Sequence, residues 1–277
     1  MSRRTIAIAA ALSVLALGSP LMTGCTNPLA TQYFNQGVEK YEAGNYQGAI
    51  DDWSKAIEIN PQDAIAYSNR GTAKDDLGDH QGAIDDYDKA IEIDPQYADA
   101  YNNRGVAKNN LEDYQGAIAD FNKAIEINPQ FAGAYSNRGS AKDDLGDYQG
   151  AIDDFNKAIE INPQNADAYN NRGNAKNGLQ DYQGAIVDYD KAIELDPQYT
   201  SAYYNRAYTK GVVLGDYQGA IADFTKAIEL DPQYTFAYLN RGIARELVND
   251  LTGACSDWRK AVNLGNERPA EWVKKQC

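Results

Sequence analysis

Apolar positions along residues 98–131 fall into two helical patterns. Ala117, Ile118, Phe121, Ala124 and Ile125 stand at 0, 1, 4, 7 and 8, a stripe at helical spacing rather than a strand's alternation. Ahead of it, Tyr101, Gly105 and Lys108 stand at i, i+4 and i+7, which predicts a first helix. Asp113 lies between the two patterns and is expected to cap the second helix. Asn128-Pro129 closes the block, because a residue before proline leaves the helical region and the proline suits the next first turn. The same block recurs with a period of 34, giving units 30–63, 64–97, 98–131, 132–165, 166–199, 200–234 and 235–268. The sixth carries one extra residue, within Gly211-Val212-Val213 before Leu214. Repeats of this length predict stacked helix pairs, each burying its stripe against its neighbours.

Places 1–34 within a unit can be compared across units. Place 8 is Gly in six units and Ala207 in the sixth, although Gly in a helix interior costs about 1 kcal/mol against Ala. A side chain there would push the paired helices apart. Places 4, 8, 17, 20, 24, 27 and 32 are Tyr101, Gly105, Tyr114, Ala117, Phe121, Ala124 and Pro129 in the third unit. This pattern resembles the tetratricopeptide repeat (TPR) family over residues 30–268. The resemblance implies an all-α, right-handed superhelical solenoid of seven helix pairs. Residues 269–277 read as a C-terminal capping helix, since the last pair would otherwise leave an apolar face wet.

One departure is systematic. Place 7, usually Leu in the family, is Arg70, Arg104, Arg138, Arg172, Arg206 and Arg241, with Gln36 in the first unit. Place 11, usually aromatic, is Lys or Arg throughout, so both places need charge partners. The Asp row Asp52, Asp86, Asp120, Asp154, Asp188, Asp223 and Asp257 is expected to pair with the arginines; the alternative is that they extend to water. The same Asp row is also expected to pair with the Lys three residues on.

Charge and termini narrow the function. A formal net charge of −14 disfavours nucleic acid and anionic membrane surfaces and favours neutral or basic protein partners. Arg3-Arg4, the apolar run 5–17 and Leu21-Met22-Thr23-Gly24-Cys25 read as a signal peptide over 1–24 whose end resembles the bacterial lipobox. Lipidation at Cys25, followed by the tether 25–29, would place an exported chain on the periplasmic or extracellular side of a membrane. That lipid would be its only contact with the membrane. Ordinary cleavage, leaving a soluble secreted or periplasmic chain, is the alternative. With Cys25 acylated, Cys255 and Cys277 remain as an even pair in an oxidising setting. Cys255 lies near the start of the last second helix and Cys277 ends the antiparallel capping helix, so a disulfide between them is expected. Two reduced thiols are the other outcome.

Catalytic chemistry finds little support. His80, the only histidine, occupies place 17, where five other units have Tyr, and reads as a packing variant. No histidine acid–base centre, zinc cluster or phosphate-binding glycine loop follows, and no metal or cofactor is implied. In TPR solenoids the groove is lined by places 2, 5, 6, 9, 12 and 13. Those positions here carry eight acidic residues and no basic one, which disfavours a carboxylate clamp. Place 6 is Asn in every unit: Asn35, Asn69, Asn103, Asn137, Asn171, Asn205 and Asn240. Side-chain amides donate and accept, so this column could grip a peptide main chain, or bond within and between units. Tyr204, Tyr208, Val212, Phe236, Leu239, Ile243 and Leu247 gather apolar groups on the groove of the last two units, where they could take partner side chains or lie under the cap. The expected function is a non-enzymatic scaffold binding an extended peptide in envelope complex assembly. A self-associating spacer and an enzyme are its rivals, and the oligomeric state stays open.

Overall fold

The computed structural model describes residues 27–277; the leader read over 1–24 and Cys25 lie outside the described residues. Among the described residues there are fifteen α-helices, one π-helical turn and no strand. They gather into two bodies, one ending at Asn137 and one beginning at Arg138. The first contains α1 (Pro28–Glu42), α2 (Tyr46–Ile59), α3 (Ala64–Asp76), α4 (His80–Ile93), α5 (Ala98–Asn110) and α6 (Tyr114–Ile127). The division falls within α7 (Ala132–Asp144). The second body continues with α8 (Tyr148–Ile161), α9 (Ala166–Gly178), α10 (Tyr182–Leu195), α11 (Thr200–Tyr208) and α12 (Tyr217–Leu230). It ends with α13 (Thr235–Leu247), α14 (Leu251–Asn263) and the short α15 (Ala270–Gln276).

Each second helix starts on the same device. Asp113 Oδ1 accepts from the Gly116 amide at 3.0 Å, and Asn45, Asp79, Asp147, Asp181, Asp216 and Asp250 cap their helices alike. A Cβ on Gly116 would fall 2.1 Å from Asp113 Oδ2, so glycine at the capped amide lets the carboxylate fold back over the helix end. Place 8 works by close approach. A Cβ on Gly105 would fall 2.6 Å from the Phe121 ring, and Trp53, Tyr87, Phe155, Tyr189 and Trp258 crowd the equivalent glycines. Those buried rings, flanked by buried alanines, form the core of each pair. The helical cost of the glycine is offset by ring burial worth roughly 2–3 kcal/mol.

The turn between paired helices demands a left-handed residue. Gly44, Gly78, Gly146 and Gly215 supply it, but Glu112, Gln180 and Asn249 also sit at φ 64°. A residue with a Cβ is strained there, Asn less than the others. Glu112→Gly and Gln180→Gly are each expected to stabilise the protein by about 1 kcal/mol, read as a raised urea midpoint. Unchanged or lower midpoints would show that the turn carries no strain.

The extra residue of the sixth unit is absorbed as the π-helical turn Thr209–Val213, closed by the Leu214 amide donating five residues back to the Thr209 carbonyl at 3.2 Å. Thr209 is fully buried where five other units have Ala. Its hydroxyl donates to the Asn205 carbonyl at 2.9 Å and accepts from Asn177 Nδ2 at 2.7 Å.

The arginine row is satisfied inside each unit. Arg104 Nε and Nη2 donate to the two oxygens of Asp120, and Arg70, Arg138, Arg172, Arg206 and Arg241 repeat the fork on Asp86, Asp154, Asp188, Asp223 and Asp257. These arginines are only 11–18 % exposed, so they do not simply extend to water. Burial disfavours the charge on Arg104, but its hydrogen bonds to Asp120 and Asp88 outweigh this and raise its pKa. Place 11 adds a second cation to each carboxylate, as in Lys108–Asp120 at 2.7 Å and Lys176–Asp188 at 2.7 Å. The third guanidinium nitrogen reaches the preceding unit: Arg70 to Ser54, Arg172 to Asn156 and Arg241 to Thr225.

The expected pairing of this Asp row with the Lys three residues on is largely wrong. Only Lys55 reaches its Asp, at 3.3 Å. Lys89, Lys123, Lys157, Lys191 and Lys226 instead pair forward with Glu92, Glu126, Glu160, Glu194 and Glu229. Most of the Asp row is already occupied by two half-buried cations, and the Lys on the outer face is left to an exposed Glu.

Candidate peptide-binding face

The first helix of each pair carries the groove positions, and the structure sorts them into open and closed. Place 5 is closed. Ser68, Asn102, Ser136, Asn170 and Leu239 are buried; Asn102 and Asn170 face the first helix of the next unit, and Leu239 lies under α15. Asn137 Nδ2 donates to Asn102 Oδ1 at 2.9 Å, Asn205 Nδ2 to Asn170 Oδ1 at 3.0 Å, and Asn240 Nδ2 to Tyr204 Oη at 2.9 Å. Asn102 and Asn170 in turn donate to Asn103 and Asn171. The asparagine column therefore ties unit to unit at Asn137, Asn205 and Asn240, while Asn103 and Asn171 bond within their own units. Asn35 is exposed and Asn69 half-buried, and neither takes part in these ties. An amide with one proton committed keeps a second proton and spare acceptor capacity, so the column can still meet a main chain while fixing neighbouring helices.

Two residues read as groove contacts are core. Leu239 is buried against Ala254, Trp258 and Ala261, with Trp272 and Val273 of α15 packed on the same cluster and Ile243 half-buried beside it. Tyr204 packs against Phe224 and Tyr234, centroids 5.6 and 4.8 Å apart, and its hydroxyl serves Asn240. Burial, then neighbouring Tyr208, raises the Tyr204 pKa. The sequence held a signal for this. Place 5 is Ser or Asn where another repeat follows in the middle of the chain, and Leu only beneath the apolar cap. Tyr208, Val212, Phe236 and Leu247 remain open, between 41 and 56 % exposed.

Acidic groove residues are held by neighbours. The Tyr41 hydroxyl donates to Asp76 Oδ2 and the Tyr199 hydroxyl to Asp167 Oδ1, both at 2.6 Å. His80 Nδ1 lies 2.6 Å from Asp75 Oδ1, so the lone histidine is a half-buried partner of a carboxylate. Burial pushes the Tyr97 hydroxyl up to about 12. No group of His, Cys, Asp and Glu among the described residues could hold a metal ion, and no helix there is long and apolar enough to cross a membrane. The structure joins Cys255 to Cys277, with Cα atoms 5.6 Å apart.

Family models described as TPR repeat match residues 37–74, 76–111 and 144–179, and models described as tetratricopeptide repeat match 98–131, 166–199 and 200–234. No curated protein matches the chain. Among solved structures, a tetratricopeptide repeat protein from Parabacteroides merdae is similar at 21 % identity, covering 90 % of this chain and 98 % of its own, with a TM-score of 0.69. MamA is similar at 29 % identity over 61 % of this chain and 93 % of its own, TM-score 0.54. YrrB, described as a TPR protein with an unusual peptide-binding site, is similar at 26 % identity over 67 % of this chain and 95 % of its own, TM-score 0.53.

Proposed function

The chain belongs to the tetratricopeptide repeat family, a protein-interaction scaffold, and from that premise we propose that its first helices bind an extended peptide. The observation that carries the reading is the exposure of Tyr208, Val212, Phe236 and Leu247 at positions that line the groove in TPR solenoids. Aromatic and aliphatic groups left exposed on a repeat's inner helices are the material of binding hot spots. YrrB's peptide-binding site supports the same use of the fold. The patch takes one or two partner side chains, and the spare capacity of Asn205 and Asn240 meets the peptide main chain. A basic or neutral partner suits a chain of charge −14. The role is non-enzymatic. The leader 1–24 and Cys25 make the setting an exported, lipid-anchored chain that holds an envelope complex together.

A photo-cross-linking residue at position 208, used in the native envelope, tests this. We expect one dominant cross-linked protein, lost when Phe236→Ser is added, with the melting temperature nearly unchanged. If Phe236→Ser lowers the melting temperature and leaves the cross-link intact per folded molecule, the patch is packing and the reading fails.

A further inference from the structure

In the body 138–277, four successive turns join a first helix to its partner, and their shared edge is apolar. Leu145, Leu179 and the Val213-Leu214 pair recur at the repeat period in three of these turns, each 37–46 % exposed; the fourth has half-buried Val248 at that place and Leu251, 43 % exposed, three residues on. A single exposed leucine is ordinary, whereas a row of them at the repeat period is a surface that a partner can cover. The edge is also acidic. Outside the groove positions, residues 145–148, 179–182, 213–217 and 248–251 contain four Asp and no Lys or Arg. The C-terminal end of one helix meets the N-terminal end of the next at every turn, so their dipoles oppose. What remains is the charge of the exposed caps Asp147, Asp181, Asp216 and Asp250.

Spacing selects the occupant. The first helices α9 and α11 touch through the bond between Asn205 and Asn170, and helices in contact lie about 8–10 Å apart, which sets the scale of the step along the leucine row. An α-helix advances about 10.5 Å in seven residues and returns to the same face. A strand covers that distance in about three residues and turns the opposite face. We propose that this turn edge docks a basic amphipathic helix of a partner protein, with apolar side chains seven residues apart against the leucines and Lys or Arg beside the Asp caps. A second copy of this acidic chain would bring carboxylate against carboxylate, and an anionic membrane would be repelled in the same way. The edge is separate from the groove, so either reading can fail alone.

The full chain is titrated at physiological salt with a labelled peptide of about 21 residues, leucines at heptad positions and lysines beside them. The control is an isomer of the same composition with the leucines off the heptad. The heptad peptide is expected to bind about tenfold more tightly than its isomer, and to gain helical circular dichroism on binding. Leu179→Ser with Leu214→Ser is expected to weaken it about tenfold with the melting temperature nearly unchanged, while Tyr208→Ser with Phe236→Ser leaves it bound. Equal binding of the two peptides would mean charge alone. A lower melting temperature with intact affinity would make the leucines turn packing. Binding to phosphatidylcholine vesicles without binding the peptide would make the edge a lipid contact. Each of these three results overturns the proposal.

Discussion

Asp188→Ala is expected to cost about 3–5 kcal/mol, far more than the loss of a surface ion pair. Asp188 takes Arg172 Nε at 2.9 Å, Arg172 Nη2 at 2.5 Å and Lys176 Nζ at 2.7 Å. Its own side chain is 2 % exposed and that of Arg172 17 %, so the substitution leaves a covered guanidinium without its carboxylate. The stacking of Arg172 over Tyr169, 5.3 Å from the ring centroid, prevents an easy swing to water. Adding Arg172→Leu, which restores the residue usual in the family, should recover most of the loss. Lys176 can then turn outward, being the most exposed of the three at 20 %. Repeat arrays depart from two-state behaviour, so hydrogen exchange in α9 and α10 is the better readout than a global melt. A cost under about 1 kcal/mol for Asp188→Ala would place the triad with surface pairs, and failure of the second substitution to rescue would refute the unpaired-charge account.

This triad also shows how far the sequence could be read. The arginines at place 7 and the carboxylates sixteen or seventeen residues on pointed to each other because a charge at a usually apolar place needs a partner. The lysine at i+3 misled, since the spacing is correct for a surface pair but says nothing about who already holds the carboxylate. Helix pairs, caps and glycine contacts were legible for a simple reason: each is a local pattern written six or seven times. The candidate site was less legible. Tyr204, Leu239 and the asparagine column look like groove residues when one unit is read alone. Their roles appear only when the next first helix, or α15 in its place, is set against them. That information lies between units, where a periodic sequence is least explicit. The π-helical turn is the opposite case: its extra residue was plain, but only the buried hydroxyl of Thr209 explains how it is accommodated.

Breaking the link between Cys255 and Cys277 is expected to lower the stability of the C-terminal end by about 3 kcal/mol. The two cysteines are 22 residues apart in sequence, and a cross-link of that span removes this much loop entropy from the unfolded chain. The cap that it secures is weak by itself. At seven residues α15 is too short to persist alone, and no side chain caps its start. It is held by Trp272 against Trp258, ring centroids 5.2 Å apart, by Val273 on the same cluster, and by Arg259 Nη2 donating to the Cys277 carbonyl at 2.7 Å. Alkylation of non-reduced mature protein should therefore find neither Cys255 nor Cys277 as a free thiol. Cys277→Ser, at the exposed end of the bridge, should shift tryptophan emission to the red and speed hydrogen exchange in α13 and α14, leaving α8 to α10 protected. Two free thiols would show that the bridge does not form. An intact bridge whose loss leaves the emission and the exchange of α14 unchanged would show that Trp272 holds the cap by packing alone.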